Sequence, residues 1–317
     1  MKYGGEIILP RYNYNEILFN QAYLSLTVRK FYFQIGKKSN PYKLNNLSSG
    51  SLVESSNASP MPKISTGLKD YQDIRLFKFN FQYLASIAHG WLKSTDYITN
   101  PFLHQKSISI KKKISENSNI ELGLDHMAIW AGETKQFGKL PSSSKDFIRI
   151  IFALPGDKNS TSQEQKNSLG NHLGAWNYSY EKKYKDKKIK FYGEHPFEDE
   201  SGARWLLNGF DGLYGININY DQPGLISCLT YEYINTMNQS GAEGSSDTTY
   251  GWDNYYNHYI YQSGWTNNRR VIGNPLFTLG SNKGRYSDGQ YIVNNRLRAH
   301  HFGLQGSISK KFHYKTL

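Results

Sequence analysis

The sequence predicts an all-β fold, an antiparallel barrel of the kind that crosses a membrane with strands. Three observations predict it. Polar and apolar residues alternate with a period of two along much of the chain, tyrosine is abundant where aliphatic residues are scarce, and tight polar turns take turns with long polar segments.

The alternation comes first because in a strand successive side chains point to opposite faces. Ile216–Asp221 reads Ile, Asn, Ile, Asn, Tyr, Asp. Phe302, Leu304, Gly306 and Ile308 share one face, with His301, Gly303, Gln305, Ser307 and Ser309 on the other. Phe77, Phe79, Phe81 and Tyr83 alternate with Lys78, Asn80 and Gln82, and Leu24, Leu26 and Val28 oppose Tyr23, Ser25 and Thr27. Ile108 and Ile110 are set against Ser107, Ser109 and Lys111, and Leu122 and Leu124 against Glu121, Gly123 and Asp125.

Composition agrees. Hydrophobic residues are 38% of 317, whereas aromatics reach 15%, with 25 Tyr, 16 Phe and 6 Trp. Disordered chains are poor in aromatics. Barrels in lipid place aromatic girdles at the two interfaces, above and below an apolar band. A soluble all-β protein with a wet binding surface would share the alternation.

The turns carry the third argument. Asp186–Lys187 separates Tyr178–Lys185 from Lys188–Glu194, and Asp221–Gly224 separates a second pair, both reading as hairpins. Ser39–Asp73, Asp157–Asn167, Gln239–Tyr255 and Gly280–Asn295 read as longer polar segments. Short turns at one end and long loops at the other are the asymmetry of an outer-membrane barrel. At roughly 20–25 residues per strand and connection, the chain supplies about 12–14 strands.

Other classes find little support. One cysteine, Cys228, allows neither an intrachain disulfide nor a cysteine-based zinc site. A run of 18 apolar residues, enough for a membrane-spanning helix, is absent. Lys2–Ile8 reads as a short strand without the apolar core of a signal peptide. The net charge of +12 favours polyanions, but the basic residues are spread along the chain rather than gathered in a stripe. With no recognisable RNA- or DNA-binding module, nucleic acid is not an expected partner.

Candidate sites are few. Glu194, His195, Glu198, Asp199 and Glu200 form the densest ionisable cluster. Two of these carboxylates at a suitable distance could serve a glycosidase, and His195 with a carboxylate could hold a metal. A strand end turning through Pro196 into a solvated acidic loop explains the cluster as well, and no second His stands at ligand spacing. No metal or other cofactor is expected. His300 and His301 are adjacent and point to opposite faces of a strand. Trp252, Tyr255, Tyr256, Tyr259, Tyr261 and Trp265 lead into Arg269 and Arg270. Aromatic faces stack on sugar rings and Arg forks to carboxylates, so Trp252, Tyr255, Tyr256, Trp265, Arg269 and Arg270 form a candidate polysaccharide-binding set. An interfacial girdle would use the same aromatics. Arg296 and Arg298 share a face and are expected to pair with lumen carboxylates.

Several strings, in order, are specific enough to carry a resemblance. They are SSNASPMPKIS at Ser55–Ser65, AHGW at Ala88–Trp91, NPFLHQKS at Asn100–Ser107, GLDHMAIWAG at Gly123–Gly132, GKLPSSSKDF at Gly138–Phe147 and LGNHLGAW at Leu169–Trp176. HPFEDESG at His195–Gly202, DGLYG at Asp211–Gly215, YEYINTMNQSG at Tyr231–Gly241, SGW at Ser263–Trp265, IGNPLF at Ile272–Phe277 and NNRLRAHHFGLQG at Asn294–Gly306 follow. The chain thereby resembles the Wzi-type capsule assembly proteins, particularly the form found in Bacteroidetes.

The resemblance implies an outer-membrane barrel of about 18 strands. It implies a monomer in outer-membrane lipid that associates with capsular polysaccharide as a lectin-like anchor, without catalysis. His89, Trp91, His104, His172, His195, Arg296, Arg298 and His300 fall in the shared motifs with no role attached. Against the family pattern, residues 1–317 read as one barrel domain lacking the leading signal peptide and segment and the closing strands. A porin-like channel is the main alternative. A carbohydrate-active enzyme using Glu194 with Glu198 or Asp199 is the second.

Overall fold

The computed structural model describes residues 1–8, 18–39, 44–76, 78–198, 209–239, 253–280 and 291–317. One 14-stranded antiparallel sheet carries the molecule. Its strands are β1 (Lys2–Ile8), β2 (Leu18–Val28), β3 (Phe31–Lys37), β4 (Pro62–Leu68), β5 (Gln72–Leu76) and β6 (Phe79–Trp91). The sheet continues through β8 (Phe102–Ser115), β9 (Ser118–Trp130), β12 (Asn171–Tyr184), β13 (Lys187–Phe197) and β14 (Gly212–Tyr220) to β15 (Cys228–Asn235), β20 (Arg298–Ser309) and β21 (Phe312–Thr316). Short strands lie in the loops: β7 (Ile98–Thr99), β10 (Glu133–Thr134), β11 (Gly138–Lys139), β16 (Thr266–Asn267), β17 (Arg270–Val271), β18 (Thr278–Leu279) and β19 (Ile292–Asn294). Two helices, α1 (Ser144–Phe152) and α2 (Ser162–Lys166), lie between β9 and β12.

Each long strand pairs with its neighbours in sequence, giving a meander. β4 and β5 both pair with β6, Lys63 facing Gly90 and Gln72 facing Tyr83, so they are two halves of one interrupted strand. This corrects the reading of Ser39–Asp73 as loop throughout. Its last third is strand, because Ile64 and Thr66 face outward while Ser65 faces the lumen, an alternation too short and mixed to stand out. The hairpin expected near Asp186 is present with its turn at Lys185–Asp186, one residue earlier. Lys185 takes a left-handed φ of 53°, as does Arg29 between β2 and β3.

The connections obey a strict alternation. Residues 29–30, 77–78, 116–117, 185–186, 221–227 and 310–311 link strands at one end. Residues 38–61, 92–101, 131–170, 198–211 and 236–297 link them at the other. Gly280–Asn295 and Gln239–Tyr255 belong to the last of these, and much of each lies outside the described residues.

The polarity of the wall is inverted relative to a soluble sandwich. Leu24, Leu26, Val28, Phe31, Phe33, Ile35, Ile108, Ile110 and Leu122 are exposed on the outer face. Ser86 and Ser107, by contrast, share a 2.7 Å hydrogen bond on the inner face, and Lys111 pairs there with Glu121 at 3.5 Å. An exposed apolar belt with a polar interior is stable only where the outer solvent is lipid. No helix among the described residues is long and apolar enough to cross a membrane; the 13- and 14-residue strands β6, β8, β9 and β12 exceed the roughly 9–11 residues a tilted strand needs. Phe77, one of the alternating residues, lies outside the described residues.

Aromatic rings add to the belt. Tyr231 stacks on His300 and packs on Phe302 across β15 and β20, and its hydroxyl meets His300 Nδ1 at 2.8 Å. Inside, Tyr192 lies flat over Gly215, where a Cβ would come within 2.2 Å of the ring. A Leu122→Arg substitution places a charge in the belt and should cost about 2–4 kcal/mol of stability, read from urea unfolding in lipid vesicles.

Candidate functional site

The lumen is filled by the chain itself. Segment 44–61, between β3 and β4, turns inward, and its backbone amides are caught by lumen-facing side chains. The Leu52 N–H donates to Glu194 Oε2 of β13 at 2.7 Å, and the Ser49 N–H donates to Glu232 Oε2 of β15 at 2.7 Å. Tyr192 donates to the other oxygen of Glu232 at 2.5 Å and accepts from Asn45 Nδ2 at 2.8 Å. His301 Nε2 meets the Leu47 carbonyl at 2.8 Å. Glu194 and Glu232 are fully buried; an amide and a hydroxyl donor together make the Glu232 carboxylate tolerable there, and Glu194 takes the Leu52 amide.

Segment 253–280 closes over this plug. Trp265 Nε1 donates to the Val53 carbonyl at 2.9 Å, and the Tyr256 hydroxyl donates to the Leu52 carbonyl at 2.7 Å. Ser55 N–H reaches the Ile272 carbonyl at 2.8 Å. Leu52, Val53, Tyr255, Tyr256, Tyr261, Trp265 and Phe277 form one apolar core with Leu103, Met127 and Leu173 of the wall. The Tyr256 N–H donates to Glu198 Oε1 at 2.7 Å. Asp211, just before β14, accepts from the Asn238 and Gln239 amides at 3.0 and 2.7 Å and from the Tyr255 hydroxyl at 3.2 Å. Burial pushes its carboxyl up, and the two backbone N–H groups pull it back.

These contacts correct several expectations. Tyr255, Tyr256 and Trp265 are at most 2% exposed, so they hold the plug together and present no face to a sugar. A loop that must fold into a polar lumen needs its own apolar core, and these rings supply it. Trp252, Asp199 and Glu200 lie outside the described residues. Among its described residues the acidic run does not turn out into solvent at Pro196: β13 runs on to Phe197, and Glu194 points into the lumen. Among the described residues Arg296 and Arg298 meet no lumen carboxylate. Arg298 follows the outward parity of His300 and Phe302 and donates to Asn235 Oδ1 at 3.2 Å, while Arg296 donates to the Met237 carbonyl at 3.2 Å.

Arg269 and Arg270 are exposed, at the tip of the β16–β17 hairpin. Asn268 and Arg269 both adopt left-handed φ, 51° and 58°, which carries the side chains out on a two-residue turn. Beside them stands an aromatic pair that the sequence did not single out: Tyr97, of the loop 92–101, meets Tyr291 edge-on at 5.7 Å. Burial pushes the Tyr291 phenol up while the nearby Arg269 guanidinium pulls it down, which ties the pair to the hairpin tip. The Lys93 N–H donates to Asn267 Oδ1 at 3.3 Å, binding loop 92–101 to the same hairpin. A second pair, Phe137 with Tyr259 at 5.2 Å, lies where loop 131–140 meets segment 253–280. The loop end therefore presents one exposed ring from each pair, Tyr97 and Tyr259, with the Arg269 guanidinium near the first pair. No periodicity marks a ring as exposed in an irregular loop, so the sequence points to the Arg–Arg doublet and Tyr259 but not to Tyr97, Phe137 or Tyr291.

The motif histidines go elsewhere. His89, His104 and His172 have outward parity on β6, β8 and β12 near the long-loop rim. Trp91 packs edge-on against His89 at 5.4 Å. His195 is buried on β13 beside Trp176. Among the described residues no group of three or more His, Cys, Asp or Glu could hold a metal ion.

A many-stranded wall with an apolar exterior, a polar interior and loops folded into its lumen defines a plugged outer-membrane β-barrel. The chain belongs to the family described as capsule assembly protein Wzi, whose model matches residues 5–284. The fold is similar to a solved Escherichia coli structure, Wzi, described as an outer membrane protein involved in group 1 capsule assembly and a carbohydrate-binding β-barrel. The match has a TM-score of 0.55 and 13% identity over 95% of this chain and 67% of that one. A comparison with curated proteins gives no match.

Removing the two carboxylates that catch the plug should free it. Glu194→Ala with Glu232→Ala is expected to raise single-channel conductance in planar bilayers above that of the parent. The plug's cover should also respond to pH. Burial lowers His258 to about 4 from 6.5, and its Nδ1 accepts the Ile260 and Tyr261 amides, which requires a neutral ring. Because the folded value is the lower one, stability is full above pH 6.5 and falls as pH drops toward 4. Hydrogen exchange of segment 253–280 should quicken over that window, and His258→Asn, which accepts without titrating, should flatten the response.

Proposed function

We propose that this barrel holds capsular polysaccharide at the cell surface through its long-loop face, as a binding protein rather than an enzyme. The observation that carries this reading is the plug: a lumen filled from two segments and anchored on buried Glu194 and Glu232 leaves the loop face as the working surface. The pair Tyr97–Tyr291 and the arginines at the hairpin tip supply what an acidic sugar chain needs, rings to stack on and cations to meet its carboxylates. The carbohydrate binding described for the Escherichia coli neighbour supports the same reading.

Catalysis is a poorer fit. Glu194 and Glu198, the carboxylates a glycosidase would use, accept backbone amides that seat the plug and its cover. A channel is a poorer fit for the same reason. The working unit in this reading is a single chain ringed by outer-membrane lipid, with the whole of residues 1–317 acting as one barrel domain.

Cells carrying Arg269→Ala and Tyr97→Ala should keep barrel levels unchanged while polysaccharide moves from the attached to the shed fraction. Unchanged partition with both substitutions would remove this surface from the role. Binding of purified polysaccharide to the double variant, followed by surface plasmon resonance, should fall by about tenfold or more, the loss of one good stacking and one charged contact.

A further inference from the structure

A crevice of about 460 Å³ lies on the outer wall, beneath α1, away from the lumen and the loop face. The connection after β9 leaves the rim and folds back over the outside of the barrel. Trp130 and Phe147 stack at 5.5 Å, and Ile150 packs with Ala128 and Leu169. Lys106 of β8 donates to the Ile151 carbonyl and fixes the C-terminal end of α1. At the other end Ser142–Ser144 line the crevice together with Ile64 and Ile87 of β4 and β6. The helix thus bridges several strands, with a gap between it and the wall.

Two features of the gap point to an occupant. Its lining is apolar at the mouth, where Ile64 and Ile87 continue the exposed belt of the barrel. Its floor is not. His104 is fully buried, and both of its ring nitrogens lack a hydrogen-bond partner among the described residues. Nδ1 of His89 and Nε1 of Trp130 are in the same position, and both residues line the crevice. Buried polar atoms left this way cost stability unless something fills the space and pairs with them. The helix itself is apolar on two sides: Phe147 and Ile150 face the wall, while Ile148 and Phe152 are exposed. Such a helix is suited to the level of lipid chains and headgroups rather than to water.

We infer that this crevice holds one acyl chain of an outer-leaflet lipid, with an ester or hydroxyl oxygen of the lipid meeting His104 and the Trp130 N–H. The Ser142–Ser144 hydroxyls and exposed Lys145 stand at the headgroup end of the path. The N-terminus of α1 is not itself the receptor, because Ser143 and Asp146 already cap it reciprocally. The bound chain would clamp α1, and through it the connection 131–170, to the membrane.

The full chain in nanodiscs containing phosphatidylethanolamine with a diazirine on one acyl chain provides the test. Photolysis should label peptides carrying His104 or Phe147 in clear excess over the belt peptides carrying Ile110 or Leu122. Ile87→Trp, which fills the mouth, should abolish that excess while leaving belt labelling unchanged. Ile64→Trp, on another strand, should do the same, with heat-dependent gel migration reporting that each variant is folded. Even labelling around the belt, or an excess that survives in both folded variants, overturns the inference. So does a dimer in the nanodisc that either substitution dissolves, since the crevice would then belong to a second copy.

Discussion

Hydrocarbon offers a peptide group no hydrogen-bonding partner, and between β1 and β21 the meander meets that demand by pairing each strand with the next. Once the backbone must pair sideways, side chains have only two directions in which to point. The outer set has to dissolve in lipid, and the inner set is left polar around a lumen. Everything else in the molecule deals with what that lumen and that outer face then require. Within the lumen the chain folds back on itself, and buried carboxylates that would be intolerable alone become anchors for otherwise unpaired amides, Glu194 for Leu52 and Glu232 for Ser49. Outside, a helix lies against the wall over a cluster of rings.

The same logic separates the two kinds of aromatic residue. Rings on the outer face of the wall, such as Tyr231 beside Phe302, belong to the lipid-facing belt. Rings in segment 253–280 are instead the core of a small insert that would otherwise have no apolar interior. A third group, Tyr97 with Tyr291 and Phe137 with Tyr259, is held at the loop face by contacts between loops. One residue type thus serves three environments, and only its neighbours in space decide which.

This is why the wall was legible in the sequence and the site was not. Period-two alternation is a local property, so Ile108 and Ile110 against Ser107 and Ser109 announced both the strand and its faces. The hairpins announced themselves through their turn residues, to within one position at Lys185–Asp186. No such period exists in segment 253–280, where Tyr255, Tyr256 and Tyr259 look alike in sequence yet two are buried and one is exposed. The inward turn of residues 44–61 depends on partners nearly 150 to over 180 positions away, beyond any local pattern. The helix α1 is as hard to see, since its Ser143–Asp146 capping box opens only nine helical residues inside a long connection.

The distance in sequence between the plug and its anchors has a consequence for how the molecule is put together. Segment 44–61 leaves the exporting machinery early, but the groups that hold it arrive late: Glu194 after 142 further residues, Glu232 after 183, and the Trp265 ring that covers Val53 after 212. Contacts of such long sequence separation form slowly, because the chain entropy lost in closing the loop comes before the contact that rewards it. Until β13 and β15 are in place the carboxylates that catch the early segment are absent, and the growing sheet encloses an open polar channel. Seating the plug is therefore a late act of assembly, and a barrel that stalls before β13 would stay open in the membrane.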